Sequence, residues 1–162
     1  MRRAAVGDFD SMFAAEYAAV LRTVFLICHD THLAQDVTQE AFVELLRHWD
    51  KVSRYERPGA WVRRVAIRKL VKAMRRDVRR RAAEVTFEPP TALEPADVDV
   101  LRAVRALPLR QRTAVVLHYF EDLSLHEIAD VLDCAPSTAG VHLHRARARL
   151  GGLLKEVSPD GR

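Results

Sequence analysis

The residues best placed for chemistry lie near the C-terminal end of the chain, along one side of a predicted helix. Hydroxyl side chains come first and nitrogen-bearing side chains follow at helical spacing: Ser137, Thr138, His142, Arg145 and Arg149. Small polar residues at a helix start, with arginines further along, are typical of a helix that enters the DNA major groove, where arginine also binds phosphates. The pattern therefore predicts a DNA-binding surface.

Two short helical patterns that meet at a turn would position these side chains. Ser124 and Glu127 have the spacing of a capping box, and Pro136 suits the first turn of a second helix. Apolar residues recur at helical spacing in both patterns: Leu125, Ile128, Ala129, Leu132, Ala139, Leu143, Ala146 and Leu150. A helix-turn-helix is the prediction. An ordinary helical hairpin with a solvated charged side is the alternative for this stretch taken alone.

Charge is strongly segregated along the chain. Residues 44–81 contain fourteen Lys or Arg against four acidic residues, whereas residues 82–101 contain five acidic residues and no basic one. A basic block of this density attracts a polyanion with an affinity that falls steeply with salt. A merely solvated helix flank is a poor alternative here, because little acid is interleaved to form internal pairs.

Three more helical patterns precede the acidic segment. The first runs from Phe9 to Ile27, with Asp8 or Asp10 available as its N-cap, and residues 31–33 interrupt it. The second has the apolar stripe Val37, Ala41, Phe42, Leu45, Leu46 and Trp49. After a break at residues 57–59, the third has the apolar stripe Trp61, Val62, Val65, Ala66, Leu70 and Met74. We expect both tryptophans, Trp49 and Trp61, to be core residues.

Helical periodicity outside an acidic linker predicts an all-α protein with two small helical domains. A chain of 162 residues, 49% apolar and 30% charged, suffices for one ordinary domain or two small ones. No β-alternation is long enough to demand a sheet. Prolines and acidic residues between Glu84 and Asp99 predict an extended acidic linker. We expect domains at 1–80 and 101–157, joined by a linker at 81–100.

Several classes of protein are disfavoured. The chain has no run of eighteen apolar residues and no signal-peptide core at its start, so we expect it in the cytoplasm. Cys28 and Cys134 lack a CxxC partner, and a metal site at Cys28, His29 and His32 is disfavoured because Cys28 ends an apolar run. No Ser-His-Asp grouping, phosphate-binding glycine loop or HExxH motif is present, so we expect no enzyme activity, metal or cofactor.

These features together resemble the extracytoplasmic-function sigma factors, the small promoter-specificity subunits of bacterial RNA polymerase. DVTQEAFVELLRHW at 36–49 is similar to the helix with which the family docks on polymerase. AWVRRVAIRKLVKAMRR at 60–76 is similar to the promoter-melting helix, and residues 101–150 resemble the family's C-terminal domain nearly end to end. The likeness covers most of the chain.

The resemblance implies three sets of contacts. Core RNA polymerase would be bound by Asp36, Gln39, Glu40 and Phe42. Melted promoter DNA at the minus-ten element would be held by Arg54, Tyr55, Arg57, Arg64, Arg68, Lys72, Arg75 and Arg76. Duplex DNA at the minus-thirty-five element would be read by the helix-turn-helix residues named at the outset. Tyr55 is the aromatic of the loop at 53–57, where the family captures an unstacked base; a surface packing role is its alternative.

The resemblance also implies how the protein is regulated and where its linker lies on the polymerase. The family is commonly controlled by an anti-sigma factor that covers the docking surfaces, and we expect one here but no small-molecule substrate. Its linker runs through the channel that later carries nascent RNA, although a plain flexible spacer explains the prolines equally well. A helix-turn-helix regulator that does not bind polymerase is the alternative function, and it leaves the acidic residues Asp36 and Glu40 unexplained.

This chain departs from the family pattern at two helices. Arg68 and Lys72 replace the Asn and Asp that are frequent in the melting helix. In the reading helix, Gly140 stands within a run where the family has Lys, and glycine weakens a helix by about 1 kcal/mol relative to alanine. The chain contains no asparagine, so an asparagine–adenine pair cannot contribute to readout.

Overall fold

The chain folds into helices grouped in two compact units. In the computed structural model the backbone is described for residues 2–77 and 95–157, and the side chains for residues 8–76 and 98–153. These ranges contain eight helices and no strand, which confirms the all-α prediction. The two units are Met1–Arg81 and Ala82–Arg162.

The first unit is built on three long helices and one short turn. They are α1 (Arg2–Cys28), α2 (Thr31–Arg47), α3 (Trp49–Val52) and α4 (Pro58–Asp77). The three long helices α1, α2 and α4 pack on one another in every pairing. Branched aliphatic side chains from all three are fully buried where they meet: Val20, Val24, Ile27, Leu45, Val62, Ile67 and Leu70.

Aromatic rings extend this core along one side of α1. Phe13 stacks on Tyr17 with a centroid distance of 4.8 Å, and both rings contact Phe42 of α2. Phe9 meets the edge of Trp49 at 5.5 Å, and Trp49 is buried as expected. These rings fix the position of α2 and α3 against α1.

An ion pair joins α1 to the start of α4. Arg63 Nη2 donates to Glu16 Oε2 at 2.7 Å. A Cβ at Gly59 would lie only 2.7 Å from Glu16 Cδ, so the glycine leaves the room in which the Glu16 side chain reaches Arg63. Pro58 and Gly59, which were expected to interrupt the helical pattern, are the first two residues of α4, and Gly59 serves its packing on α1.

The ends of α1 differ from the prediction. Helix α1 begins at Arg2, so Asp8 and Asp10 lie inside it and neither is its N-cap. The interruption lies at His29 and Asp30, not at residues 31–33, which form the first turn of α2. His29 adopts a left-handed conformation with φ 53°, and the Asp30 carboxylate caps α2 by accepting from Leu33 N at 3.0 Å. The Asp30 cap lets α2 begin at Thr31, so residues 31–33 are helical.

Part of α1 has a composition that a membrane-spanning helix would share. The segment Asp8–Cys28 is long and apolar enough to cross a bilayer by length and composition alone. In this fold α2 and α4 pack against the segment, and its buried side chains belong to the core of the first unit. We interpret it as a core helix.

The second unit contains four helices, of which the first three pack against the last. They are α5 (Pro95–Arg105), α6 (Leu109–Phe120), α7 (Leu125–Leu132) and α8 (Pro136–Val157). Helices α5, α6 and α7 all contact α8. Their shared core contains Leu107, Val116, Leu117, Ile128, Leu132, Ala139 and Ala146.

The predicted linker is wrong over its last residues. Residues 95–100 belong to α5, although they were expected to be extended. Proline fits the first position of a helix because its fixed φ is helical and its missing N–H would have no helical partner there. Pro95 thus begins an element instead of preventing one. Residues 81–94 of the predicted linker lie outside the described residues.

Candidate docking and nucleic-acid surfaces

The exposed side of α2 forms the rim and floor of a shallow groove in the first unit. Asp36, Gln39 and Glu40 are all exposed, as their common helical spacing predicts. The groove has a volume of about 490 Å³, and its lining contains three carboxylates and two cations. The lining residues are Asp36, Gln39, Glu40, Val43, Glu44, Arg47 and Lys69. We call this the α2 groove.

Apolar residues of α2 differ in part from their predicted exposure. Phe42 was expected to contact a partner, but it is only 3% exposed and lies among the aromatic rings of the core, so that expectation is wrong for its side chain. Leu46 was placed in the buried stripe, but it is 53% exposed. Val43, which the sequence did not single out, is 49% exposed. The exposed side of α2 therefore offers apolar as well as acidic contacts.

A cation from α4 enters the α2 groove. Lys69 Nζ lies 2.9 Å from Glu44 Oε2, and both side chains are about one-third exposed. Glu44 continues the spacing of Glu40, so periodicity could have found it. Lys69 is distant in sequence, and no local pattern marks it as part of this groove.

The basic side chains of α4 form one stripe along the helix. Arg64 is half-buried, while Arg68, Lys72, Arg75 and Arg76 are exposed. Three- and four-residue spacing puts all five on the same side, away from the buried side chains of Val62, Ile67 and Leu70. The structure thus brings these five predicted DNA contacts together.

The loop between α3 and α4 carries the other predicted contacts of the first unit. Arg54, Tyr55 and Arg57 are exposed, with Tyr55 at 41%. Two main-chain hydrogen bonds hold the start of the loop, from Arg54 N to Lys51 O and from Tyr55 N to Val52 O. The loop therefore presents one aromatic ring flanked by two guanidinium groups.

Trp61 differs from the core position expected for it. Its side chain is half-buried and meets the ring of His48 edge-on, with centroids 6.1 Å apart. It occurs three residues before Arg64 and so shares the side of α4 that carries the basic stripe. The partly exposed indole of Trp61 therefore adds an aromatic stacking surface to the basic stripe of α4.

The helix-turn-helix has the local geometry that its sequence predicts. Ser124 Oγ accepts from Glu127 N at 3.3 Å, and the Glu127 carboxylate accepts from Ser124 N at 2.8 Å, which completes the capping box. Helix α7 ends at Leu132, and its C-cap Asp133 adopts a left-handed conformation with φ 53°. Asp133 and the residues up to Ala135 form the turn before α8 begins at Pro136.

The predicted reading residues share one side of α8. Ser137, Thr138, Arg145 and Arg149 are exposed, and His142 is half-buried beside them. Ala139, Leu143 and Ala146 are buried on the opposite side, as predicted, whereas Leu150 is half-buried. Val141, which is 45% exposed, adds an apolar contact of the kind that a thymine methyl group accepts.

His142 is set in a positive environment. Its partial burial lowers the pKa of the imidazole, and the charges of Arg110 and Arg145 lower it further. Arg110 belongs to α6, and its Nη1 donates to Leu132 O at 3.4 Å. Sequence reasoning missed Arg110, because its proximity to α8 depends on the packing of three helices.

Arg147 of α8 joins this helix to α6. Arg147 Nε donates to Tyr119 Oη at 2.7 Å, and the guanidinium lies 5.5 Å from the centre of the Tyr119 ring. The side chain of His118 approaches Arg147 Nη2 at 3.3 Å. These contacts hold the end of α6 against the middle of α8.

Histidines and cysteines do not converge on a metal site among the described residues. No group of three metal-ligating side chains occurs in that part of the chain. His29 is buried beside Phe25, whereas His32 is exposed, so the two do not share a surface. Cys28 Sγ donates to Asp30 O at 3.4 Å at the end of α1.

Both units match family models that describe parts of one kind of protein. Residues 12–81 match the Sigma-70 region 2 model, and residues 97–150 match the model of Sigma-70, region 4. The chain is similar over its whole length to the RNA polymerase sigma-E factor of Streptomyces avermitilis, with 30% identity and 93% of that relative covered. It is also 28% identical to the ECF RNA polymerase sigma factor SigM of Mycobacterium tuberculosis, over 90% of this chain and 76% of that relative.

Solved structures have the same fold. The sigma factor RpoE from Bartonella quintana, in complex with the anti-sigma factor NepR, gives a TM-score of 0.75 at 22% identity and covers 91% of this chain and 97% of that one. CnrH, in complex with the cytosolic domain of CnrY, gives a TM-score of 0.63 at 23% identity and covers 97% of this chain and 96% of that one.

Proposed function

Because this chain belongs to the extracytoplasmic-function group of the sigma-70 family of RNA polymerase sigma factors, we propose that each of three surfaces carries one step of promoter recognition. Sigma factors of this family bind core RNA polymerase and direct initiation at promoters. In our proposal the α2 groove docks core polymerase, α4 and the loop before it hold melted minus-ten DNA, and α8 reads the minus-thirty-five duplex.

The exposed side of α2 is the observation that carries the docking role. Asp36, Glu40 and Val43 line the α2 groove together, and Leu46 is exposed one turn after Phe42. Protein interfaces commonly combine an apolar centre with a polar rim, and charge complementarity sets partner and register. We therefore assign polymerase docking to Asp36, Gln39, Glu40, Val43 and Leu46, with Phe42 supporting the helix from the core.

The basic stripe of α4 supports the binding of separated DNA strands, as opposed to base-paired duplex. Arg68, Lys72 and Arg76 bind phosphates without regard to sequence, while Tyr55 and Trp61 offer rings on which an unstacked base can lie. Extruding a base costs a few kcal/mol, which stacking at about 1–3 kcal/mol per base can offset. Promoter opening would then be coupled to binding at this surface.

Regulation by an anti-sigma factor is part of the proposal. RpoE of Bartonella quintana binds the anti-sigma factor NepR in its solved structure, and CnrH binds the cytosolic domain of CnrY in its own. An anti-sigma factor that covers Val43 and Leu46 would bury exposed apolar surface and block polymerase docking at once. We place the protein in the cytoplasm, where its polymerase and chromosome lie, and assign it binding roles without a catalytic step.

A double charge reversal tests polymerase docking. Asp36→Lys with Glu40→Lys changes the α2 groove from three carboxylates and two cations to one carboxylate and four cations. Like charges across an interface cost several kcal/mol, so we expect run-off transcription with core polymerase to fall about tenfold or more. The template is a promoter recovered from a randomised library with the wild-type protein.

The matched control is the reversal of two exposed carboxylates on α1, Asp8→Lys with Asp10→Lys, which lie away from the groove lining. It should leave initiation within about twofold of wild type, the scatter expected for exposed substitutions. Equal activity of both double variants would remove the docking role from α2. Duplex binding without any initiation by the wild type would favour a free-standing regulator instead.

A further inference from the structure

Arg110 is a cation of the second unit that none of the proposed promoter contacts includes. It lies in the first turn of α6, is half-buried, and donates through Nη1 to the main-chain oxygen of Leu132. Leu132 is the last residue of α7, so this bond holds the guanidinium beside the turn that leads into α8. A cation on a different helix is thereby brought to the reading helix.

Arg110 of α6, which its bond to Leu132 O holds beside the turn before α8, and Arg145 of α8 both lie near His142. Both guanidinium charges act on His142, and both lower its pKa, after the larger effect of burial. Arg145 follows His142 by three residues and is exposed on the same side of α8. Two positive groups from different elements thus flank a single half-buried imidazole.

The described part of the chain supplies no ion-pair partner to either arginine. Within residues 8–76 and 98–153, neither Arg110 nor Arg145 lies within ion-pair distance of a carboxylate. Like charges that converge without a counterion repel each other, and an external anion relieves the repulsion. The described residues therefore leave a place for an anion beside α8.

We propose that Arg110 contacts a DNA phosphate and, together with Arg145, grips one strand of the minus-thirty-five duplex beside His142. The inference rests on the proposed function, because α8 must lie in the major groove for a strand to pass these two arginines. A guanidinium has five N–H donors in a planar fork, so Arg110 can keep its bond to Leu132 O while another N–H binds phosphate. Such a contact positions the helix and carries no sequence information.

The salt dependence of binding by the full-length chain tests this contact. The probes are a labelled duplex selected from a randomised pool by the wild-type protein and a scrambled duplex of the same composition. For Arg110→Gln we expect the slope of log affinity against log salt to fall by about one on both probes. The affinity itself should fall about five- to tenfold at roughly 0.1 M salt.

Two control variants separate charge from folding. Arg110→Lys retains the charge and should keep most of the slope, whereas Arg102→Gln, an exposed arginine on α5, should leave slope and affinity unchanged. A thermal melt of each variant reports any loss of fold, including a loss caused by removal of the bond to Leu132 O. A normal melt rules out unfolding as the cause of a weaker affinity.

The outcomes distinguish the inference from the function on which it rests. An unchanged slope for Arg110→Gln, or a loss confined to the selected duplex, would overturn the phosphate contact while leaving α8 as the reading helix. Failure of the wild-type protein to enrich any duplex would contradict the proposed reading role of α8. The phosphate contact of Arg110, which depends on that role, would be contradicted as well.

Discussion

At the scale of single residues, His142 shows how packing changes a side chain that the sequence already marks. In the unfolded chain its imidazole takes up a proton near pH 6.5, the ordinary value. In the folded chain, burial first and then the charges of Arg110 and Arg145 lower its pKa. The unfolded state therefore binds more protons just below pH 6.5, and the stability associated with His142 falls as the pH drops through that value.

The first prediction concerns this coupling. Arg110→Gln removes one of the two charges that act on His142, so we expect the pKa of His142 to rise toward its ordinary value. NMR titration of the imidazole in the full-length chain measures it directly. Arg102→Gln should leave the titration where it is in the wild type. A pKa of His142 that is insensitive to Arg110 would mean that the two side chains are not close in solution.

At the scale of elements, α8 combines a strong packing side with a weak point in its own backbone. Ala139, Leu143 and Ala146 are buried against the other helices of the unit, whereas Gly140 next to them lowers intrinsic helix stability. Packing holds the helix together across the glycine. A Cβ at Gly140 would meet Leu125 Cδ1 at 3.7 Å, which is an ordinary van der Waals contact.

Gly140→Ala should therefore stabilise the second unit. We expect an increase in the free energy of unfolding of about 0.5–1 kcal/mol, because alanine lowers the entropy of the unfolded chain and fits the space available. Urea unfolding followed by circular dichroism measures it. Ala148→Gly, at an exposed position of the same helix, should give a destabilisation of similar size. A destabilised Gly140→Ala would show that Leu125 cannot accommodate the methyl group.

Features of single helices could be predicted from the sequence where they depend on helix periodicity. The capping box, the helix-turn-helix and the common side of the α4 arginines all depend on residues three or four positions apart, so they could be predicted. The start of α5 could not, because Pro95 is compatible both with an extended linker and with a first helical turn. Only the packing of α5 on α8 decides between them.

At the scale of the whole molecule, the chain divides into two units with separate cores. Each is small, and their buried side chains come from their own helices. The basic stripe and the α2 groove belong to the first unit, and the reading helix belongs to the second. In the proposed function both units contact the promoter, and their covalent connection raises the effective concentration of the second unit once the first is bound.

Separating the units tests this dependence. We expect residues 1–81 and 82–162, produced as two chains, to be helical by circular dichroism. Mixed at equal concentration, they should support run-off transcription at least about tenfold less well than the intact chain, because the second contact is no longer intramolecular. The same mixture at high concentration should recover part of the activity. Equal activity at low concentration would show that one unit alone suffices for initiation.

The sequence alone determined the helical class, the helix-turn-helix and the segregation of acidic and basic surface, because each is written in local spacing or composition. Tertiary structure decided which side chains those surfaces present. It decided between a core role and a partner contact for Phe42, turned Leu46 outward, placed Lys69 beside Glu44, and brought Arg110 close to α8. Each of these depends on contacts between helices, which no local spacing records.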